Sequence, residues 1–259
     1  MRFTDTHCHI HEASYEDAKK AYQRSIDGGV HRLICVGTDE VTSVEAADFA
    51  GKHDNTWFSV GLHPHDATSG AAAVARLEQI ITDQNVHVNK IVAVGECGLD
   101  YFYDNSPRET QLAMLHAQIR LALAHDLPMI FHVREAFDDF WPVFDSYQGI
   151  RGVLHSFTDS AKNMQMAVDR GLFIGVNGIA TFTKDPAQQA MYGAIPLKNL
   201  LLETDAPFLT PVPNRGKINE PAFITHIAHH IANLRSINLE ELSRATERNA
   251  TTLFFNTKN

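Results

Sequence analysis

The chain is poor in cysteine, in long apolar runs and in net positive charge, and each shortage argues against a class of protein. Its 259 residues hold three cysteines, Cys8, Cys35 and Cys97. All sit in apolar, strand-like surroundings without CxxC spacing, which argues against a disulfide scaffold and for a reduced, cytoplasmic protein. No apolar stretch approaches the ~18 residues of a membrane span. The N-terminus shows no basic segment followed by an apolar one, so neither a signal peptide nor membrane contact is expected. A formal net charge of -9 argues against a generally basic nucleic-acid-binding surface. It leaves room for a nucleic-acid substrate held by metals and a few local cations. Low-complexity tracts, linkers and repeats beyond a strand–helix period are also missing, so residues 1–259 read as a single domain.

What is present is a regular alternation. Strand-like runs lie within Met1–Ile10 and at His31–Gly37, Thr56–Pro64, Lys90–Glu96, Pro128–His132, Gly152–Phe157, Leu172–Asn177 and Leu200–Asp205. Between them the spacing predicts helices over Ser14–Gly28, Thr42–Lys52, Ala71–Asp83, Pro107–His125, Ala136–Tyr147 with an interruption at Pro142, and Ser160–Arg170. A loop and short helix reach Ala194. In the longest helix Leu112, Leu115, Ile119 and Leu123 are spaced for burial. Two terminal helices follow, near Pro221–Leu234 and Leu239–Thr252. Eight strands alternating with helices in this length predict an α/β chain folded as a single (β/α)₈ TIM barrel with extra C-terminal helices.

In such a barrel, reactive side chains sit at the C-terminal ends of strands. Those positions here carry His7 and His9, His63, Glu96, His132, His155 and Asp205. His7 and His9 share one face of a strand because side chains alternate at period two, and both imidazoles can reach one divalent ion. Cys8 and Cys97 alternate away and read as packing. Imidazoles and carboxylates suit zinc, manganese, magnesium or iron. Seven such groups exceed the needs of one ion, and a carboxylate bridging two ions would account for the surplus. Singly, His132 and His155 could be core histidines bonded to carbonyls, and Glu96 a solvated turn acid. His226 and His230, at i, i+4 on a late helix beside His229, read as a solvated helix face.

Asp5-Thr6-His7-Cys8-His9, Gly61-Leu62-His63-Pro64, Gly95-Glu96-Cys97-Gly98-Leu99-Asp100, Pro128 to Arg134, His155-Ser156-Phe157 and Glu203-Thr204-Asp205-Ala206-Pro207 together resemble the TatD family of metal-dependent DNases, within the amidohydrolase superfamily. The likeness spans almost the whole chain, in order. Arg215-Gly216-Lys217-Ile218-Asn219-Glu220-Pro221 also resembles the family's late Asn-x-Pro segment, although Ile218 stands where a more polar residue is expected. Cys97 replaces the more usual aliphatic residue. Neither departure removes a ligand.

The resemblance implies that His7, His9, Glu96 and Asp205 hold a first ion, and Glu96, His132 and His155 a second, with Mg²⁺, Mn²⁺ and Zn²⁺ all open. It implies a 3′→5′ exonuclease acting on the 3′ end of single-stranded DNA, with RNA also open. His63 would face the substrate or an additional metal, Arg134 would meet a phosphate, and Tyr101 would border the substrate. Glu203, one layer below Asp205, would support the site without ligating. Barrels often bind a phosphate with glycines and amides at the ends of strands seven and eight, which here points to the chain near Asn177-Gly178 as its cradle. The ions would lower the pKa of water toward roughly 7, and Asp205 would take its proton. An obligate protein partner is not expected.

Activated water can attack carbonyl carbon as well as phosphorus. The competing expectation is therefore another ester or amide bond, as in a D-aminoacyl-tRNA deacylase or a lactonase. A barrel that binds without catalysis would be expected to lack a ligand, and none is lacking.

Overall fold

A computed structural model of the chain describes residues 1–13, 15–83 and 88–256. Strands β1 (Phe3–Cys8), β2 (Val30–Val36), β3 (Thr56–Val60), β4 (Ile91–Asp100), β5 (Met129–Arg134), β6 (Gly152–Leu154), β7 (Phe173–Val176) and β8 (Leu200–Leu202) form one parallel sheet in the order β1 to β8. Helices α1 (Ala18–Asp27), α2 (Glu40–Lys52), α3 (Gly70–Thr82), α4 (Arg108–Ala124), α5 (Phe137–Asp145), α6 (Ala161–Asp169), α7 (Ile179–Phe182) and α8 (Pro186–Ala194) lie between the strands. Helices α9 (Ile224–Leu234) and α10 (Leu239–Ala250) follow the last strand. This is the (β/α)₈ barrel class, with the expected C-terminal helices. The start expected for the first helix, Ser14, lies outside the described residues.

Two compact units make up the chain, Met1–Ile34 with Ser156–Asn259, and Cys35–His155. In the first, the end of β1 meets the segment after β8. The Asp205 N–H donates to the His7 carbonyl at 2.8 Å, and the His9 N–H to the Ala206 carbonyl at 2.7 Å. Helix α10 buries Leu242, Ala245, Thr246 and Asn249 and packs against β1, β8 and α9.

In the second unit, α4 does more than cover the sheet. Leu115 and Ile119 are fully buried, as expected, but Leu123 is exposed and Leu112 only half-buried. Gln111 and Gln118 take their place on the inner face. They stand two helical turns apart and so point the same way. Gln118 accepts from the Leu62 N–H at 2.7 Å and donates to the Leu62 carbonyl at 2.9 Å. Gln111 does the same for Asp100, at 2.8 and 3.1 Å. Each amide therefore satisfies both backbone groups of a residue beside a strand end, which a leucine could not do.

Helix α5 runs unbroken through Pro142, contrary to the expected interruption. Phe137, Phe140, Trp141 and Phe144 are buried along it, and this packing outweighs the one backbone donor that proline lacks. Strands β6 and β8 end earlier than expected, which leaves His155 and Asp205 just beyond them, on irregular backbone.

Candidate metal centre

In the first unit, His7 Nε2 and His9 Nε2 are 3.1 Å apart, and each lies 3.5 Å from Asp205 Oδ1. His7 is the last but one residue of β1, which is buried on both faces, and His9 follows just past its end with its ring beside that of His7. Asp205 sits at φ +58°, a left-handed conformation that aspartate adopts more readily than most residues. The turn aims its carboxylate back at the two rings, with the side chain 14% exposed.

Behind the triad, Asp5 is fully buried. Its carboxylate accepts from the Thr204 N–H at 2.9 Å, from the Thr204 hydroxyl, and from the His7 N–H at 3.3 Å. Burial nonetheless pushes the Asp5 carboxyl up to about 8, against those hydrogen bonds. Asn219 is buried as well, and its amide donates to the Thr204 carbonyl at 2.8 Å and the Phe208 carbonyl at 2.5 Å. Ile218 beside it is exposed, so its departure from the family pattern falls on a solvent-facing position. Glu203 Oε1 accepts from the Ser156 N–H at 2.6 Å. A Cβ on Gly175 would stand 2.3 Å from Glu203 Oε2, so that glycine makes room for the buried carboxylate.

In the second unit, three imidazoles converge on one oxygen. Glu96 Oε1 lies 2.9 Å from His132 Nδ1, 3.2 Å from His155 Nε2 and 3.4 Å from His63 Nε2. The register of β4 against β5 shifts between Val94 and Cys97, and a bulge of this kind re-aims a side chain. Glycines allow the tight pairing around it: a Cβ on Gly95 would meet the Ile130 carbonyl oxygen at 2.4 Å, and one on Gly98 the His132 carbonyl oxygen at 1.9 Å. Burial works to raise the Glu96 carboxyl. The charges of His155 and His63, with hydrogen bonds from His132 and His155, overcome it and hold Glu96 well below the usual carboxylate range. Burial lowers His63 to about 4 despite Glu96 beside it, which leaves a neutral ring able to donate a lone pair.

Two carboxylates complete the clusters. Asp100 Oδ2 stands 2.9 Å from His132 Nε2 and 3.1 Å from His65 Nε2. Asp100 and Glu96 lie four residues apart on one strand and so share a face. Burial opposes ionisation of Asp100, but hydrogen bonds from His132, the Tyr103 N–H and His65 lower it below its ordinary range. Glu12 Oε1 similarly lies 3.3 Å from His9 Nδ1.

This donor set fits divalent ions. Where Asp100 takes the Nε2 proton of His132, Nδ1 is an acceptor, yet it faces a carboxylate oxygen at 2.9 Å. Where Glu12 takes the Nδ1 proton of His9, its Nε2 is an acceptor 3.1 Å from another ring nitrogen. Like lone pairs come this close only around a cation or a shared proton. Ligands bound at about 2.0–2.2 Å to one ion stand about 3–3.5 Å apart, which matches both clusters. A carboxylate on the far nitrogen of a histidine is the usual support of a metal ligand.

The remaining expected residues are less central. Arg134 is exposed, with its guanidinium 4.0 Å from the Phe102 ring centroid and 4.8 Å from that of Tyr103. The Tyr101 hydroxyl donates to Asp139 at 2.8 Å, and its ring carries the Arg108 guanidinium at 4.2 Å. Asn177 is buried; its amide donates to the Ser156 hydroxyl at 2.7 Å and accepts from the Ile179 N–H at 3.1 Å. A Cβ on Gly178 would stand 1.9 Å from the Leu209 carbonyl oxygen, so chain rather than open space adjoins it. His226 and His230 are half-buried rather than solvated, and His230 meets Gln189 at 3.3 Å. The sequence by itself does not single out Asp100 or His65. Asp100 carries a period-two signal from Glu96 along β4, whereas His65 lies in the 3₁₀ turn after β3, where no such period holds.

The family described as TatD related DNase matches residues 4–255. The chain belongs to the TatD family. It is 34% identical over 246 residues to the 3′-5′ ssDNA/RNA exonuclease TatD of Pantoea ananatis, covering 92% of this chain and 93% of that one. It is 33% identical over 254 residues to the metal-dependent hydrolase YabD of Bacillus subtilis, covering 96% and 98%. The crystal structure of YjjV, a TatD homologue of Escherichia coli K12, superposes with a TM-score of 0.90 at 30% identity, covering 98% of each chain. As a TatD family member the chain is a metal-dependent hydrolase acting on ester bonds. Among the described residues, no helix is long and apolar enough to cross a membrane.

Proposed function

We propose that this enzyme removes nucleotides from the 3′ end of single-stranded DNA, and of RNA, with two divalent ions. The observation that carries the reading is the pair of ligand clusters, His7–His9–Asp205 and Glu96–His132–His155, each built around a carboxylate oxygen within 3.5 Å of imidazole nitrogens. The relatives named as 3′-5′ ssDNA/RNA exonucleases support the choice of bond and polarity. Bound divalent ions supply Lewis acidity toward a phosphoryl oxygen and acidify water.

The protein's own groups account for the rest. Asp205 is the partly exposed member of its cluster and is the proton acceptor. Glu96 stays ionised, held so by the histidines around it. His63 joins His132 and His155 around Glu96 and stays neutral near pH 7, so it serves as a further ligand or a hydrogen-bond partner of the substrate. Arg134 offers its edge N–H groups to a phosphate while its face stays on Phe102. The three cysteines are buried free thiols, which accords with a cytoplasmic location.

The test is digestion of a 5′-labelled single-stranded oligonucleotide with Mg²⁺, Mn²⁺ or Zn²⁺, beside a D-aminoacyl ester and a lactone. A ladder shortening from the 3′ end is expected. Turnover of the carboxylic esters with the oligonucleotide left intact would overturn the reading in favour of carbonyl chemistry.

A further inference from the structure

Directly after β4 the chain runs Tyr101-Phe102-Tyr103, and the three rings have different fates. Tyr101 is tied down by Asp139 and Arg108. Phe102 and Tyr103 stand 51% and 54% exposed, although each would gain from burial. They are held out by the backbone: the N–H groups of both donate to Asp100 Oδ1 at 3.0 Å. The other oxygen of that carboxylate meets His132 Nε2 at 2.9 Å. One side chain thus fixes the aromatic pair and a ring of the Glu96 cluster at once. The two rings meet edge to face at 4.9 Å, Tyr103 lies 5.4 Å from His65, and Arg134 covers part of both.

We propose that Phe102 and Tyr103, with Arg134 beside them, form a platform on which a nucleobase of the single strand stacks as its end enters the site. The proposal rests on the phosphodiesterase reading above and adds the group that grips the base. Aromatic faces beside an arginine suit any base, because every base has a π-face. The sequence flanking the platform carries Asp104 and Glu135 as well as Arg134, so beyond the single phosphate that Arg134 meets, attraction to the strand's backbone is weak here and base faces are the feature bound. A rigid, exposed pair anchored to a metal-site carboxylate orients a flexible strand without sequence preference.

The experiment is a cycle between protein and substrate, using the full metal-loaded chain. Binding of a fluorescent oligothymidylate is measured by anisotropy, and its 3′ shortening by gel, for the native protein and for Phe102→Ala, Tyr103→Ala and Phe102→Trp. The same series is run on an oligonucleotide whose 3′-proximal nucleotides lack bases. Stacking of one base is worth roughly 1–3 kcal/mol, so each alanine variant should weaken Kd by about 5- to 150-fold. Phe102→Trp should restore affinity. On the abasic strand the native protein should lose the same factor and the alanine variants nothing further. The salt dependence of binding should not change for Tyr103→Ala, since Arg134 keeps its seat on Phe102 and no phosphate contact is removed. Equal Kd for native and alanine proteins, or losses that simply multiply in the cycle, would overturn the platform. Intact affinity differences without strand shortening would instead leave the platform standing and overturn the phosphodiesterase reading.

Discussion

His132 is gripped from both sides: its Nε2 lies 2.9 Å from Asp100 Oδ2 and its Nδ1 lies 2.9 Å from Glu96 Oε1. Burial lowers the affinity of this ring for a proton, but the two carboxylates outweigh it and raise His132 above its ordinary value. The same pull that favours a proton in the metal-free protein favours a cation in its place.

Asp100 is therefore expected to tune the ion held by the Glu96 cluster. Asp100→Asn keeps the size and one acceptor but removes the charge that orients His132. Loss of such a supporting partner typically weakens metal affinity about 10- to 100-fold. Calorimetric titration with Zn²⁺ or Mn²⁺ should show that loss at one site only. Unchanged isotherms would mean that Asp100 serves only to fix the turn at Phe102 and Tyr103.

Two ligand clusters predict two ions per chain. Metal analysis after saturation and desalting should approach two equivalents, and His9→Ala or His132→Ala should each lower it toward one, at different sites. Chelation should lower thermal stability. An ion present at 100 times its Kd adds about 2.7 kcal/mol to the folded state. A melting temperature unmoved by chelator would count against structural binding at either cluster.

The strands and the clustering of imidazoles and carboxylates are legible because both follow from periodicity: apolar runs place strands, and a reactive residue ending a run lies at a barrel mouth. Asp100 belongs to a sequence motif, but its role depends on β4 continuing past Glu96 for four residues, which no apolar run announces. Gln111 and Gln118 were hidden for a related reason. Helical spacing points to leucines for the inner face, and only the strand-end backbone explains why two amides are there instead. Tyr101 and Arg134 lie at the ends of β4 and β5, as their places in the chain predict. Their partners, Asp139 and Phe102, are set by side-chain packing that spacing does not encode.

Gly98 tests how closely β4 must approach β5. Its φ is +151°, and an alanine Cβ would stand 1.9 Å from the His132 carbonyl oxygen. Both strain and overlap oppose Gly98→Ala, together roughly 2–5 kcal/mol. At this chain length that corresponds to a fall in melting temperature of roughly 5–15 °C. Since relief requires β5 to move with His132, binding of the ion at the Glu96 cluster should weaken as well. A variant as stable as the native chain would show that the two strands can separate without penalty.

Asp205 can act in two ways, and its substitution separates them. Its carboxylate lies 3.5 Å from both His7 Nε2 and His9 Nε2, which suits a ligand. It is also more exposed than either ring, which suits an acceptor for the proton of attacking water. Asp205→Asn keeps the side-chain size and one ligand oxygen but removes the basic site. General-base assistance is worth roughly 10²- to 10⁴-fold in rate. The variant should therefore retain bound metal and affinity for a single strand, yet turn over at least about 10²-fold more slowly. Stopped-flow turnover at several metal concentrations decides the matter. If raising the metal concentration returns near-native rates, Asp205 acts as a ligand alone and the proton acceptor lies elsewhere, with His63 the next residue to substitute.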